Sequence, residues 1–432
     1  MRAVVLVGNP ANPYSRSLRI ARTLEEAGFE VEIAAVAVDG APEVEADGGV
    51  TIRRYRPSGP FASMAATHQG TVGPPVARGR LRTALGVVVR ASAAMRRWIF
   101  WPHTVRGWWA TLARDLQPAD LYHACGSLTI APALRARDRD RRAGRPSSVV
   151  YDAIDDVVGG NNLLGVPAVV RAAIARRERR WACAADARIT VNDALAATLA
   201  RRWGTSEAPL VVPNWPEPAN EPEGAGPDLI RVALGLTATT RIAVFQGRLG
   251  PNLGLEAAAA AIVEVPDAVL CVLGFGRGLA ASLARDADPR YRGRHRTLPA
   301  VHPDEIVGWT ASADVALVPL PPVSANQRAS TPNKFWEALA AGTPVVVGPG
   351  LTVMAELVED LDLGVVAASL SPTDLAAAIR EVIDVTPDVA AERRRRIATL
   401  ARERFSWPVA AGHYGALVAG LSGHATSASS GT

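Results

Sequence analysis

Short apolar runs alternate along this chain with stretches where apolar positions return every three or four residues, and that rhythm predicts strands and helices in βα order. Residues 3–7 (AVVLV) read as a first strand and GNPANPYS as a turn. SLRIARTLEEAG reads as an amphipathic helix capped by Ser17 and closed by Gly28, and FEVEIAAVAV as a second strand. Such a unit is Rossmann-like, with a loop at the carboxyl end of its first strand, where open α/β sheets bind ligands. ADLYHAC is a strand reaching His123, and SSVVYDAIDD a strand ending in Asp152, Asp155 and Asp156. A long helical region from Val169 to Trp203 is broken by the short strand RITVN. After the Pro/Glu/Gly-rich stretch EPANEPEGAGPD the alternation starts again with RIAVFQG, VLCVLGFGRG and ADVALVPL. The expected fold class is α/β with two Rossmann-like βαβ domains. The expected divisions are residues 1–215, a linker over 216–228, residues 229–405, a terminal helix over 406–421, and a disordered Ser/Gly/Thr tail over 422–432.

Composition narrows the class of protein. The 432 residues are 48% hydrophobic and 21% charged, enough for two domains with their own cores and too apolar for a disordered chain. Cys125, Cys183 and Cys271 are scattered, with no CxxC or Cys/His cluster; this excludes a disulfide framework or a zinc site of usual spacing and fits a reducing cytoplasm. The N-terminal run AVVLVG is too short for a signal peptide, and no apolar stretch approaches the roughly 20 residues that cross a bilayer. The net charge of +5 is unevenly spread: eleven arginines and no acidic residue lie between Asp47 and Asp115, so the rest of the chain is acidic. Within that stretch, over residues 78–114, Trp98, Trp101, Val105, Trp108, Trp109 and Leu112 make a helical stripe interrupted at Pro102, with arginines on other faces. Either this is a surface for an anionic membrane, or it is a pair of core helices with a solvated basic face. In the first case the protein sits peripherally on the inner face of the plasma membrane. A basic balance also suits nucleic acid, but no reader module is present and nucleic acid is not expected as a partner.

The stretch ASTPNKFWEALAAGTPVVVG, residues 329–348, carries the clearest chemistry. Pro332 suits a helix start, FWEALAA continues with strong helix formers, Gly342 and Pro344 end it, and PVVV is a buried strand. A helix N-terminus bearing Ser330, Thr331 and Lys334 attracts an anion, because free N–H groups and the positive end of the dipole point at it. Glu337 stands one turn on, on the same face as Lys334, where its carboxylate accepts hydrogen bonds from sugar hydroxyls. Phosphate and ribose side by side describe a nucleotide. Lys334 is the single lysine among 47 lysines and arginines, so this position keeps a compact ammonium where the chain otherwise uses a planar guanidinium.

The string S-T-P-N-K-F-W-E-A-L-A-A-G-T-P-V-V resembles the nucleotide-sugar-binding motif of GT-B glycosyltransferases, specifically the GT4-like, group 1 family. The resemblance implies a GT-B fold: two Rossmann-like domains facing across a cleft, with the terminal helix crossing back to the N-terminal domain. It implies a hexosyltransferase moving a sugar from a UDP- or GDP-sugar to an acceptor hydroxyl, with retention, on a lipid-linked or cell-envelope glycan. No tightly bound cofactor and no metal are implied, although Asp152, Asp155 and Asp156 by themselves also suit a divalent cation. The motif departs from the family's at Ala329, where many members carry a further glutamate. Upstream, GRLGPNLG resembles the family's G-R-L-x-x-x-K-G: Gly247, Arg248 and Gly254 match, while Leu253 stands at the lysine position.

Arg248 and Lys334 are thereby assigned to the donor diphosphate and Glu337 to its ribose. Gly274 and Gly276 are read as allowing close backbone approach to base or ribose, and Val301 as pairing its backbone with the nucleobase edge. His123 falls on the family's strand-end histidine, where it either bonds a donor sugar hydroxyl or orients the acceptor, or is a structural histidine; Ile154 replaces a second one. Gly8 and Asn9 either line the cleft or make a plain tight turn. Two other classes stay open: a nucleotide-sugar epimerase or hydrolase, and a non-catalytic GT-B partner protein, for which Ala329 and Leu253 speak.

Overall fold

A computed structural model of the chain describes all residues except 12–13, 59–104, 164–165, 219–227 and 430–432. The chain forms two compact units, residues 1–154, 178–188 and 417–432 in one and residues 155–177 and 189–416 in the other.

The first sheet is built from β1 (Arg2–Val7), β2 (Glu30–Val36), β3 (Val44–Asp47), β4 (Val50–Tyr55), β5 (Leu121–Cys125), β6 (Ser148–Asp152), β7 (Ala187–Thr190) and β8 (Leu210–Val211), in the order β3-β4-β2-β1-β5-β6-β7-β8. β4, β2, β1, β5 and β6 run parallel, which buries β1 from Ala3 to Val7 as a covered parallel strand requires. β3 is antiparallel to β4, a hairpin that the apolar pattern did not suggest although Asp47-Gly48-Gly49 is turn chemistry. The helices that follow in the chain are α1 (Ser15–Glu26), α2 (Ile130–Arg142), α3 (Ala168–Ala184) and α4 (Asp193–Trp203). Ser17 is not the cap of α1: Tyr14 holds that position, and the Ser17 hydroxyl donates to Tyr14 O at 3.0 Å, because a hydroxyl inside the first turn reaches the carbonyl three residues back.

The second sheet contains β9 (Arg241–Arg248), β10 (Ala268–Phe275), β11 (His295–Pro299), β12 (Val315–Val318), β13 (Val345–Val347) and β14 (Gly364–Val366). All six are parallel, in the order β11-β10-β9-β12-β13-β14. Counted from β9 that order is the Rossmann one, and its direction reverses between β9 and β12, where ligands of such sheets bind beyond the carboxyl ends of the strands. The helices are α5 (Leu229–Leu234), α6 (Leu255–Ala261), α7 (Leu279–Asp286), α8 (Ile306–Ala311), α9 (Ala325–Arg328), α10 (Asn333–Ala340), α11 (Thr352–Asp360), α12 (Pro372–Ile383), α13 (Pro387–Arg404) and α14 (Trp407–Ser429). Alternation along β9 sends Ile242 and Val244 into one core with Phe335 and Leu339, and Ala243 and Phe245 into another with Val346 and Ile379.

The arginine run of α13 is structural. Arg393, Arg394 and Arg396 donate to Val382 O, to Ala313 O and Ala311 O, and to Leu361 O, carbonyls at the ends of neighbouring helices. The expected disordered tail is helical as far as Ser429, since a nucleated helix extends at one hydrogen bond per residue. Of the Arg/Trp region 78–114, Trp98 and Trp101 lie outside the described residues, as does most of the expected linker. Residues 105–115 are helical, with Trp108, Trp109 and Leu112 buried at 4%, 9% and 1% exposure; Trp109 Nε1 donates to Leu128 O at 2.8 Å. This part of the stripe is core packing. Among the described residues no helix is long and apolar enough to cross a membrane.

Candidate functional site

The switch point of the second sheet brings together the end of β9, the glycine turn after β10 and the N-terminus of α10. α10 forms because Asn333–Ala340 places Phe335, Trp336, Ala338 and Leu339 on one buried face, and Trp336 packs against the rings of Trp215 (5.9 Å) and Phe405 (5.2 Å). Pro332 is its N-cap, with extended backbone (φ −68°, ψ 156°), and no side chain caps the helix. At the other end Gly342 sits at φ 66°, the N–H groups of Gly342 and Thr343 return to Leu339 O and Ala338 O at 2.9 Å, and a Cβ on Gly342 would lie 2.7 Å from Arg394 O. The helix start and its glycine stop are thus where the sequence put them, Pro332 one position earlier than a first helical residue.

Lys334 is partly exposed along its stem, but its ammonium is sealed from solvent and has no hydrogen-bond partner among the described residues. It sits 3.7 Å from the centre of the Phe245 ring. Burial pulls its pKa from 10.5 down to about 7; the nearby Glu337 carboxylate opposes that fall and the Arg248 guanidinium adds to it. Glu337 Oε2 accepts a hydrogen bond from Gln246 Nε2 at 2.9 Å. Gln246 is 2% exposed and its amide oxygen accepts from the Thr310 hydroxyl. Thr331 is buried with an unpartnered hydroxyl, whereas Ser330 turns its own onto Gln327 O at 2.9 Å.

The glycines have a local cause. Gly247 and Gly276 adopt φ 97° and 98°, and a Cβ on Gly274 would lie 2.5 Å from Leu249 Cγ. Leu249 N donates to Phe275 O at 2.7 Å and Gly278 N to Leu249 O at 3.1 Å, so these glycines let the loop after β9 cross the loop after β10. Val301, between β11 and α8, packs half-buried against the core. Leu253 does the same, and Ala329 closes α9 with its carbonyl held by Asn192 Nδ2 at 2.9 Å. Asn326 accepts from Asp156 N at 2.7 Å and donates to Asp155 at 3.0 Å, and Gln327 accepts from Asn161 at 2.9 Å. These amides strap the loop that precedes α10. Sequence reasoning missed them all; Gln246 alone left a signal, as the one uncharged polar side chain in the apolar run RIAVFQG.

His123 lies in the other unit, fully buried on β5, with Nε2 3.3 Å from Asp152 Oδ2. Arg16 donates to both oxygens of Asp152, at 2.7 and 2.9 Å. Burial favours the neutral acid at Asp152, but Arg16 and His123 outweigh it and hold the carboxyl below its usual range. His123, Cys125 and Asp152 have donor atoms within 4.8 Å of one another, yet Arg16 already places a fixed positive charge on the carboxylate where a cation would sit. Burial and Asp152 push the Cys125 thiol well up, which disfavours a thiolate ligand. The three acids do not gather: Asp156 is bound bidentately by Arg202, and Asp155 is exposed. Gly8 and Asn9 follow β1; Asn9 Oδ1 accepts from Ala11 N at 2.8 Å, and a Cβ on Gly8 would lie 3.2 Å from Leu128.

Residues 240–384 match the family model of glycosyl transferases group 1. Over 414 residues the chain is 27% identical to a D-inositol 3-phosphate glycosyltransferase of Geodermatophilus obscurus, covering 90% of this chain and 81% of that one. Sucrose-phosphate synthase from Thermosynechococcus elongatus superposes with a TM-score of 0.66 at 17% identity, over 98% of this chain and all 100% of that one. HepE of Anabaena, solved in complex with UDP and glucose, superposes at 0.64 with 16% identity, over 97% and 100% of the two chains. With two Rossmann-like parallel sheets and the group 1 match seated at the switch point of the second, the chain has a GT-B fold and is a nucleotide-sugar-dependent glycosyltransferase, similar over residues 240–384 to the group 1 family.

Proposed function

We propose that the protein transfers a hexosyl group from a UDP-sugar to a hydroxyl of a phosphate-bearing acceptor, with retention at the anomeric carbon. The observation that carries the donor side is the Lys334 ammonium, buried and without a hydrogen-bond partner among the described residues, beside the uncapped start of α10. A buried cation with nothing to bond is costly unless a ligand supplies the missing anion. Arg248 and Lys334 take the diphosphate, and Glu337 takes the ribose hydroxyls, with Thr331 adding a hydroxyl near the phosphate. Val301 and the turn of Gly274 and Gly276 face the base. The bond from the anomeric carbon to the diphosphate oxygen breaks with its electron pair leaving on the nucleotide. The acceptor oxygen forms the new bond, and its proton passes to the departing phosphate. Charge developing on that phosphate is what Arg248, Lys334 and the helix terminus stabilise. Retention is carried over from the GT4-like resemblance.

On the acceptor side Gly8 and Asn9 line the approach, while His123, fully buried and bonded to Asp152, takes the structural role that was the alternative for it. A phosphate on the acceptor is supported by the inositol-phosphate relative and by the excess of arginine between Asp47 and Asp115, of which Arg53, Arg54 and Arg114 are set aside because they pair with Glu32, Glu45 and Asp115. The phosphate could belong to a soluble polyol or sugar phosphate, or to a lipid-linked glycan at an anionic membrane. Nucleotide release from UDP- and GDP-sugars tests this, measured with D-inositol 3-phosphate, with sugar phosphates, with membrane extract, and with no acceptor. Release that needs a soluble phosphate or the extract supports the transferase and tells the two sources apart. Acceptor-independent loss of donor supports an epimerase or hydrolase, and binding without turnover a non-catalytic partner.

A further inference from the structure

We propose that Gln246 is a positioning residue that makes the donor site selective for a ribonucleotide over a deoxyribonucleotide. This rests on the reading of Glu337 as the ribose acceptor. Gln246 lies two residues before the end of β9 and its side chain is caught between two groups of opposite demand. An ionised carboxylate only accepts, so the amide nitrogen must face Glu337 Oε2, 2.9 Å away. The amide oxygen then faces the Thr310 hydroxyl, which is fully buried at the end of α8. Thr310 is held in turn, since its carbonyl accepts from the buried Thr343 hydroxyl at 3.0 Å. An inverted amide would set its oxygen against the carboxylate, so Glu337 fixes a single orientation, while the Thr310 hydroxyl, shared between the amide oxygen and Ile306 O at 2.7 Å, holds the other end in place.

What this fixes is the direction of a half-exposed carboxylate. Glu337 lies three residues after Lys334 on α10, the spacing at which the two side chains meet. The Lys334 ammonium nevertheless has no hydrogen-bond partner among the described residues. Gln246 draws Glu337 towards β9, so the helix keeps a cation for phosphate and an acceptor for ribose side by side instead of letting them pair. Loss of that hydrogen bond weakens the hold on the carboxylate and lets it turn towards Lys334.

The test compares the affinities of UDP and 2′-deoxy-UDP, and of GDP and 2′-deoxy-GDP, by calorimetry, together with donor KM and kcat. For Gln246→Leu we expect discrimination against the deoxy form to fall from roughly tenfold to near parity, the scale of one charge-assisted hydrogen bond, with KM rising far more than kcat falls. Gln246→Glu is nearly isosteric and guards against misfolding. Two carboxyls at that separation share a proton at low pH, so we expect discrimination to persist near pH 5 and to vanish as pH rises. A merely structural role would give no such profile. If Glu337→Ala removes discrimination while both Gln246 variants keep it at every pH, the positioning role is wrong and the ribose reading stands. If Glu337→Ala itself leaves discrimination unchanged, the ribose reading fails and this inference with it.

Discussion

Two buried ionic groups, one in each unit, show opposite chemistry. In the first unit Asp152 is fully buried and saturated: Arg16 grips both oxygens, His123 adds a third contact, and the carboxyl stays ionised as a result. In the second, Lys334 has an aromatic face, a carboxylate drawn aside by Gln246, and no hydrogen bond, so its ammonium is driven towards neutrality. A saturated cluster holds the fold together; an unsaturated one is held ready for something that arrives later. The distinction comes from counting partners around each charge, since both groups are equally hidden from water.

The comparison can be broken by removing one member of each cluster. Asp152→Ala leaves the Arg16 charge buried without its carboxylate, and we expect a loss of stability of about 3–5 kcal/mol, read from the urea midpoint. An unchanged midpoint would mean that the first cluster is not structural. Lys334→Ala should leave the midpoint at pH 7 level or higher while turnover drops at least about a hundredfold, the scale of losing one preorganised donor to a developing oxyanion. Full turnover in the purified variant would remove Lys334 from the chemistry.

A smaller effect sharpens the contrast through pH. With Lys334 at about 7 in the folded chain and 10.5 when unfolded, the unfolded state holds more protons between those values. The cost of burying the charge is present in full below about 7 and is relieved as pH rises towards 10.5. We therefore expect the midpoint of the natural protein to gain on that of Lys334→Met between pH 6.5 and pH 9, as the depressed lysine titrates. Parallel pH profiles would show that the ammonium is solvated after all.

Much of this was legible in the residues. The motif around Lys334 specified a helix, its glycine stop and the strand after it, because each is local chemistry, and α10 and β13 follow it closely. Strand order was not legible, since the pairing of β9 with β12 joins residues about seventy positions apart and nothing local encodes it. Trp108 and Trp109 read equally as a membrane face or a core, because a helical stripe does not say what it faces; packing against Leu128 and Trp181 decides it. Glycines that suggested a ligand-hugging loop are required first by Leu249. The tether on Glu337 was invisible, because Gln246 and Thr310 meet Glu337 only in three dimensions.

The most direct test of the central claim is calorimetric titration of UDP into the protein at pH 8, in two buffers of different ionisation enthalpy. If the diphosphate supplies the partner that Lys334 lacks, the ammonium is restored on binding. The heats should then differ between the buffers by an uptake approaching one proton per site, and Lys334→Met should abolish the difference. Equal heats in both buffers, with tight binding retained in Lys334→Met, would contradict it.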